Sequence, residues 1–193
     1  MRKTRCPWLD EKKPDYVKYH DQEWGVPVYN DKKMFEFLVL ESAQAGLSWY
    51  TVLKRRTGYK KAFAGFNAKK VAQFDNDKVE ELMNNSDIIR NRAKILAAVN
   101  NAKQFINIQK EFGSFCDYLW EYVGNKPIIN SIKTLDDYPV TSELSDQISK
   151  DMKQRGFKFF GSTICYAHLQ ASGLINDHSD DCFRKQEIIK EYE

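Results

Sequence analysis

The sequence predicts an all-α fold, and three observations predict it. Apolar residues recur at helical spacing in most segments. Ser, Thr, Asn or Asp opens most of those segments, and glycine closes several. Strand-like alternation of apolar and polar residues is scarce, and no repeat or low-complexity tract interrupts the pattern.

The elements follow in order. The stretch "DKKMFEFLVLESAQAG" (31–46) opens on an Asp cap and stops at Gly46. "SWYTVLKRR" follows, with Ser48 as cap and a basic last turn that suits the negative end of a helix dipole. "NAKKVAQF" and "DNDKVEELMNN" read as short helices with Asn and Asp caps. "NRAKILAAVNNAKQFINIQKEF" (91–112) is long, with Ile95, Ala98, Val99, Ala102, Phe105 and Ile106 on one face. "SFCDYLWEYV", "TSELSDQISKDMKQRG" and "STICYAHLQASG" complete the set. Residues 124–141, with Gly124, Pro127 and Pro139, form the longest loop-like stretch. It is too short to mark a domain boundary, so residues 1–193 read as a single domain.

Composition narrows the function classes. The chain is 42% hydrophobic and 30% charged, which describes a soluble globular protein. No apolar run approaches the roughly 18 residues of a membrane span, and the basic N-terminus lacks the apolar region of a signal peptide. Together these place the chain in the cytoplasm. Its cysteines there, Cys6, Cys116, Cys165 and Cys182, are thiols or metal ligands, not a disulfide framework. The net charge of +3 is a mild tilt towards polyanions, compatible with DNA. Aromatics make up 13% of the chain and serve cores and base-stacking sites alike.

Glu41 is the first anomaly. It lies on the stripe of Met34, Phe37, Leu38 and Ala45, where a lone carboxylate is costly unless paired, hydrogen-bonded or protonated. Periodicity leaves two readings open: a buried ion pair or rim position, and an acceptor at the floor of a pocket. Trp49 would give such a pocket a flat wall. The first 25 residues add Trp8, Tyr16, Tyr19, His20 and Trp24, as an aromatic anchor to the core or as part of that pocket.

Cys6 and His20 are separated by thirteen residues, and His178 and Cys182 by three. Joined, they make a Cys2His2 set, which is closed and therefore structural. It would tie the two ends of the chain together, although spacing alone does not show that the ends meet. His168 reads as a core or surface histidine, and Cys116 and Cys165 as core thiols.

"DMKQRGFKFFGSTICYAHLQASG" (151–173) reads as helix, glycine-bounded turn, helix. Gly156 and Gly161 would let a backbone approach closely, Ser162 and Thr163 begin the second helix, and Lys153, Arg155 and Lys158 add positive charge. This is a grip on a DNA backbone or a plain helical hairpin. The groups Arg90, Arg92, Lys94 and "LKRR" (53–56) read as solvated faces.

Taken together, "YHDQEWG", "LESAQAGLSWYTVLKRR", "IIRNRAKI", "RGFKFFGSTICYAHLQASG" and "NDHSDDC" resemble the 3-methyladenine DNA glycosylase I family of the helix-hairpin-helix glycosylase superfamily. The resemblance runs from "RCPW" to "NDHSDDC"; the tail "FRKQEIIKEYE" carries none of it. It implies a helix-hairpin-helix DNA glycosylase fold, docking on phosphates through Gly156, Lys158, Gly161, Ser162 and Thr163. It implies one structural zinc ion, held by Cys6, His20, His178 and Cys182 and joining the N- and C-terminal segments. It implies that Glu41 hydrogen-bonds the methylated adenine as the catalytic-site carboxylate, with Trp8, Tyr16, Tyr19 and Trp49 around the base. The family lacks the catalytic Asp of most of its superfamily, and Asp177, which adjoins a zinc ligand, reads as structural.

The implied activity is hydrolysis of the N-glycosidic bond of 3-methyladenine in double-stranded DNA by a monomeric enzyme. It would release the free base, leave an abasic site and include no lyase step, since no lysine stands out as a Schiff-base nucleophile. The alternative is a non-catalytic, zinc-stapled helical module that holds DNA. A zinc hydrolase fails on ligand count, because a catalytic zinc keeps an open position.

Overall fold

A computed structural model describes residues 3–192; Met1, Arg2 and Glu193, the ends of the expected 1–193 domain, lie outside the described residues. The fold is all-α, as expected. Its helices are α1 (Pro14–Gln22), α2 (Asp31–Gln44), α3 (Trp49–Leu53), α4 (Arg56–Ala62), α5 (Ala68–Val71), α6 (Asn76–Met83), α7 (Arg92–Phe112), α8 (Phe115–Glu121), α9 (Glu143–Gln154), α10 (Ser162–Ala171) and α11 (Phe183–Tyr192). Side chains of Asn30, Ser48, Asn67, Asp75, Asn91, Ser114 and Ser142 each accept a backbone N–H of the first turn they precede, which fixes those starts. Helices α1, α4 and α11 go beyond the segments that periodicity marks, and α3 ends at Leu53, so the basic residues Lys54, Arg55 and Arg56 lie outside its last turn. α1 opens with Pro14 at its first position, and its aromatic residues serve a site rather than a simple apolar stripe.

The 124–141 stretch is less irregular than it reads. It carries β1 (Ile128–Ile129), which pairs in parallel with β2 (Ile175–Asn176) in the register Ile128 to Ile175. Two residues are too few to show an alternation in sequence. The same stretch then makes a 3-10 turn at Leu135–Asp137.

Helix α2 is the centre of the molecule. It packs against α3, α4, α7, α8 and α10, and every residue from Phe37 to Ala43 is buried. Its cap is Asn30, not Asp31. Asp31 instead reaches the start of α8, accepting from the backbone N–H groups of Phe115 and Cys116 at 2.9 Å each and from Gln109 Nε2 at 2.6 Å. Burial raises its carboxyl pKa, but these donors outweigh burial and hold it below the usual range. A depressed carboxylate adds stability above its unfolded pKa and loses it as pH falls through the folded one. Asp31→Ala is expected to cost about 2–3 kcal/mol near neutral pH, with the difference from wild type shrinking below pH ~4. Urea denaturation at two pH values checks this.

The basic clusters are solvated at Lys54, Arg90 and Arg92, as expected, but Arg56 and Lys94 are drawn into the fold. Arg56 donates to Glu23 at 2.7–2.8 Å and to Glu36 at 2.6 Å, bracing α4 against the end of α1 and against α2. Arg92 pairs with Glu80. Lys94 Nζ donates to the carbonyls of Ala43 (2.8 Å) and Ala45 (2.6 Å), so a charge from α7 closes the C-terminal end of α2.

Two apolar clusters result. The larger is built around α2, α7, α8 and α10. The smaller is aromatic and joins the chain ends: Cys6, Tyr19, Trp24, Phe37, Leu53, Ala171 and Cys182, with Trp8, Tyr16, Trp49 and Tyr138 packed against them. Phe183 N–H donates to Thr4 O at 3.1 Å and Gly25 N–H to Gln170 O at 3.1 Å, so backbone bonds also hold the N-terminal segment to the C-terminal one.

Candidate active site

A pocket of about 320 Å³ opens beside the aromatic cluster, in the size range of small-ligand sites. Helix α1 contributes Tyr16 and Tyr19, α2 contributes Glu41 and Gln44, and Trp49 begins α3. Helix α10 contributes Ala167, Gln170 and Ala171, whose alanine methyls leave room where longer side chains would fill the space. Trp8, Trp24, Leu135, Tyr138 and Pro139 complete the wall.

The rings form a continuous aromatic surface. Tyr19 lies 5.3 Å from Trp49, Trp8 lies 5.3 Å from Tyr16, and Trp24 packs edge-on against Trp8 at 4.9 Å. Burial pushes the Tyr16 phenol up to about 12, and pushes Tyr19 well above its ordinary value with the charge of Glu41 adding to it. Both are neutral hydrogen-bonding rings at physiological pH. The turn between Gln44 and Trp49 holds Gly46 at φ +78° and exposes Leu47.

Glu41 is 2% exposed. Its Oε2 lies 2.7 Å from His168 Nδ1, whereas its Oε1 has no hydrogen-bond partner in the protein. Burial raises the carboxyl pKa, and the charge and hydrogen bond of His168 pull against it. Both sequence readings of Glu41 therefore hold at once: it is paired, and it lies in a pocket. Trp8 Nε1 and Trp49 Nε1 are likewise buried with no partner. A planar ligand carrying positive charge and hydrogen-bonding edges suits this set, since aromatic faces and a carboxylate both attract it.

Cys6, His20, His178 and Cys182 do meet, and their ligand atoms lie within 4.8 Å of one another. Cys6 Sγ is 3.3 Å and Cys182 Sγ 3.4 Å from His178 Nδ1, and Cys182 Sγ is 3.6 Å from His20 Nε2. A tetrahedral ion with S at about 2.3 Å and N at about 2.0 Å sets S···N edges of roughly 3.5 Å, so the set fits a metal. The remaining ring nitrogens are also fixed. His20 Nδ1 meets Asp21 Oδ1 at 2.8 Å, and His178 Nε2 meets the Trp24 carbonyl at 2.9 Å. Arg5 holds Asp21 in turn with bonds of 2.9 Å. Gly25 has φ +75°, and a Cβ there would stand 2.9 Å from His178 Nε2, so both backbone and space require glycine. The cluster adjoins the pocket, because Trp8 packs on His20 at 5.3 Å.

Helices α9 and α10 pack together across the glycine-bounded turn. Gly156 sits at φ +91°, as a turn glycine. Gly161 differs from expectation: at φ −71° it needs no glycine freedom. It caps α10 without a side chain, and open space surrounds the position of its missing Cβ. Ser162 Oγ turns inward to Ser145 Oγ at 2.7 Å, and Asn101 clamps the Lys158 backbone with two 2.8 Å bonds. Gly161, Thr163 and the Lys158 side chain are exposed. Arg155 is occupied by Glu111 and Asp151.

Trp8, Tyr16, Tyr19, Glu41 and Trp49 thus share one pocket. Asp177 is outside it, buried and accepting from Asn130, Tyr166 and Gln170 at 2.7–2.8 Å, a structural residue as expected. Cys116 and Cys165 are buried core thiols. Sequence reasoning missed His168 as the partner of Glu41, because a lone helical histidine carries no signal without its neighbour. It also missed Tyr138 and Leu135, which reach the pocket from the long loop, and the small α10 residues, whose contribution is the space they leave.

A family model described as methyladenine glycosylase matches residues 8–185. A DNA-3-methyladenine glycosylase of Haemophilus influenzae is 46% identical over 179 residues, covering 93% of this chain and 96% of that protein. DNA-3-methyladenine glycosylase 1 of Escherichia coli is 44% identical over 178 residues, covering 92% and 95%. A crystal structure of a Tyr-to-Phe variant of 3-methyladenine DNA glycosylase I in complex with 3-methyladenine superposes with a TM-score of 0.91 at 39% identity, covering 94% of this chain and 97% of that one.

Proposed function

Since the chain belongs to the methyladenine glycosylase family, we propose that it hydrolyses the N-glycosidic bond of 3-methyladenine in double-stranded DNA, as a monofunctional enzyme without a lyase step. The observation that carries the reading is Glu41, buried in an aromatic pocket with Oε1 unpartnered.

A base inside a duplex is out of reach, so the nucleotide is flipped into the pocket. The 3-methyl group gives the base a positive charge. Trp8, Trp49, Tyr16 and Tyr19 offer it aromatic faces, worth roughly 0.5–2 kcal/mol each, and Glu41 Oε1 accepts from its edge. Neutral adenine gains less from both. When the glycosidic bond breaks, its electron pair stays with the base, which departs neutral and needs no proton. Water adds to the anomeric carbon and its proton passes to solvent, leaving an abasic site. Leu47, exposed on the turn between pocket residues Gln44 and Trp49, would be the side chain to fill the gap in the duplex.

Cys6, His20, His178 and Cys182 would hold one zinc ion. Closed by four protein ligands, such an ion would supply structure rather than a reactive position. The four buried cysteines, none in a disulfide, suit a reducing cytoplasm, where we place the enzyme as a monomer.

The α9–α10 turn serves as the helix-hairpin-helix contact with DNA. Gly161 and Thr163 open the N-terminus of α10 to a phosphate, and Lys158 adds charge beside it. Lys158→Ala is expected to weaken binding to undamaged duplex and to reduce the slope of log K against log salt by about one. Binding of free 3-methyladenine should not change. Fluorescence anisotropy across a salt series checks the first, and tryptophan quenching checks the second.

The activity itself is tested by incubating the protein with methylated DNA and chromatographing the released bases. Free 3-methyladenine without strand breaks is the expected result. No release by a folded, zinc-loaded protein would overturn the reading.

A further inference from the structure

Tyr138 faces two ways. It lines the base pocket, and it packs against the aromatic cluster that holds Cys6 and Cys182. Its hydroxyl is buried and has no hydrogen-bond partner of normal geometry. An orphaned buried O–H is costly, so it marks a donor that needs an acceptor. Burial pushes the phenol up, and the charge of Cys6 and a bond to its sulfur push it further. Tyr138 therefore keeps its proton and meets the sulfur as a donor.

The backbone that carries Tyr138 is docked on the C-terminal pair of metal-ligating residues. Asp180 stands between His178 and Cys182. It accepts from Ser131 Oγ at 2.7 Å and from the Ile132 N–H at 3.2 Å, and its own N–H donates to the Ile132 carbonyl at 2.8 Å. Asp137 then closes the turn, accepting from the N–H groups of Lys133 and Thr134 at 2.9 and 2.8 Å. On the other side of the sulfur, the Ser179 N–H points at Cys6 Sγ from 3.5 Å. A thiol is a weak acceptor, whereas a metal-bound thiolate is negative and takes charge-assisted bonds.

We propose that Tyr138 is a positioning residue shared by two sites: its Oη–H donates to the metal-bound sulfur of Cys6, its ring forms part of the base wall, and base occupancy and metal retention are linked through this side chain. A base against the ring holds the phenol where it faces the sulfur, and the thiolate holds the ring where the base needs it. The linkage is reciprocal: the factor by which base raises metal affinity is the factor by which metal raises base affinity. The inference rests on the glycosylase reading for the identity of the base, but the bond to Cys6 does not depend on it.

The test uses the full chain, wild type and Tyr138→Phe, loaded with zinc or with Co2+. Phe keeps the ring and removes only the O–H. In chelator competition Tyr138→Phe is expected to hold zinc about tenfold more weakly, the low end of what outer-shell partners contribute. The thiolate-to-cobalt charge-transfer band is the second readout. A hydrogen bond lowers the energy of the sulfur electrons, so its loss moves the band of Tyr138→Phe to longer wavelength. Free 3-methyladenine shifts the wild-type band and leaves that of Tyr138→Phe in place. A merely structural role for the hydroxyl would change stability and leave the band where it is.

Equal zinc affinity and an equal band in the two proteins overturn the inference, and so does a chain that binds neither metal. A Tyr138→Phe band that still follows the base overturns the linkage, as does a wild-type band that ignores a base whose binding tryptophan quenching records. If Tyr138→Phe fails to fold, Tyr138→Met, unbranched and able to fill the space, takes its place in the same measurements. A metal-loaded wild type that shows no quenching by 3-methyladenine counts against the glycosylase reading instead, and zinc affinity and band position still decide the bond to Cys6.

Discussion

Glu41→Gln lowers the rate of 3-methyladenine release by roughly 10- to 10³-fold, from the loss of about 2–4 kcal/mol of charge-assisted stabilisation in a buried site. Gln has nearly the same shape and still accepts from His168, so the aromatic walls stay in place. What disappears is the negative charge beside a cationic base. The same change is expected to leave the fold as stable or to stabilise it. A carboxyl whose pKa is raised by burial favours the fold while protonated and loses that contribution as pH rises through the folded pKa. The melting temperature of Glu41→Gln should therefore gain on wild type as pH rises. Release above half the wild-type rate, in a variant that binds DNA normally, would show that Glu41 is not the residue on which excision depends.

Removing the metal site has the second large effect. Cys182→Ser, or exhaustive chelation, should lower the melting temperature by roughly 10 °C, corresponding to about 3–5 kcal/mol in a chain of this size. It should also abolish quenching of tryptophan fluorescence by 3-methyladenine. The second effect follows from position: Trp8 stands two residues after Cys6 and packs on His20, so the pocket wall and the metal ligands share one segment. Most of the core lies in the larger α2-centred cluster, so the helical circular dichroism signal survives. Elemental analysis should find one zinc per chain in wild type and less in the variant. A zinc-free wild type that melts and binds base normally would remove the metal from the account.

The helices were legible because caps and periodicity are local signals. Ser114 and Asn91 mark their helices by residue type alone. Glu41 was legible as an anomaly, since a carboxylate on an apolar stripe demands an explanation. Its partner was not, because His168 lies 127 positions away and only the α2–α10 packing brings the two together. Asp31 shows the opposite failure. Its sequence suits a cap for its own helix, yet it serves another helix across the core. Lys94 and Arg56 read as solvated charge, because sequence carries no record of which carbonyls or carboxylates surround a cation. The Cys2His2 set lay between these cases. The residue types were right for a metal, but the meeting of the two ends is tertiary, and the family resemblance rather than the spacing carried it.

The tie between Cys6 and Cys182 also sets an order in time. A growing chain makes α2 and the tyrosines of α1 early, and these can begin to pack while synthesis continues. The Trp8 segment has local partners in Tyr16, His20 and Trp24, but the contacts of Cys6 with His178 and Cys182 wait for a part of the chain made much later. The base pocket therefore closes only after α10 is made, and a chain stopped before it has Glu41 and the N-terminal rings without Ala167, Gln170 and Ala171 or the second pair of metal-ligating residues.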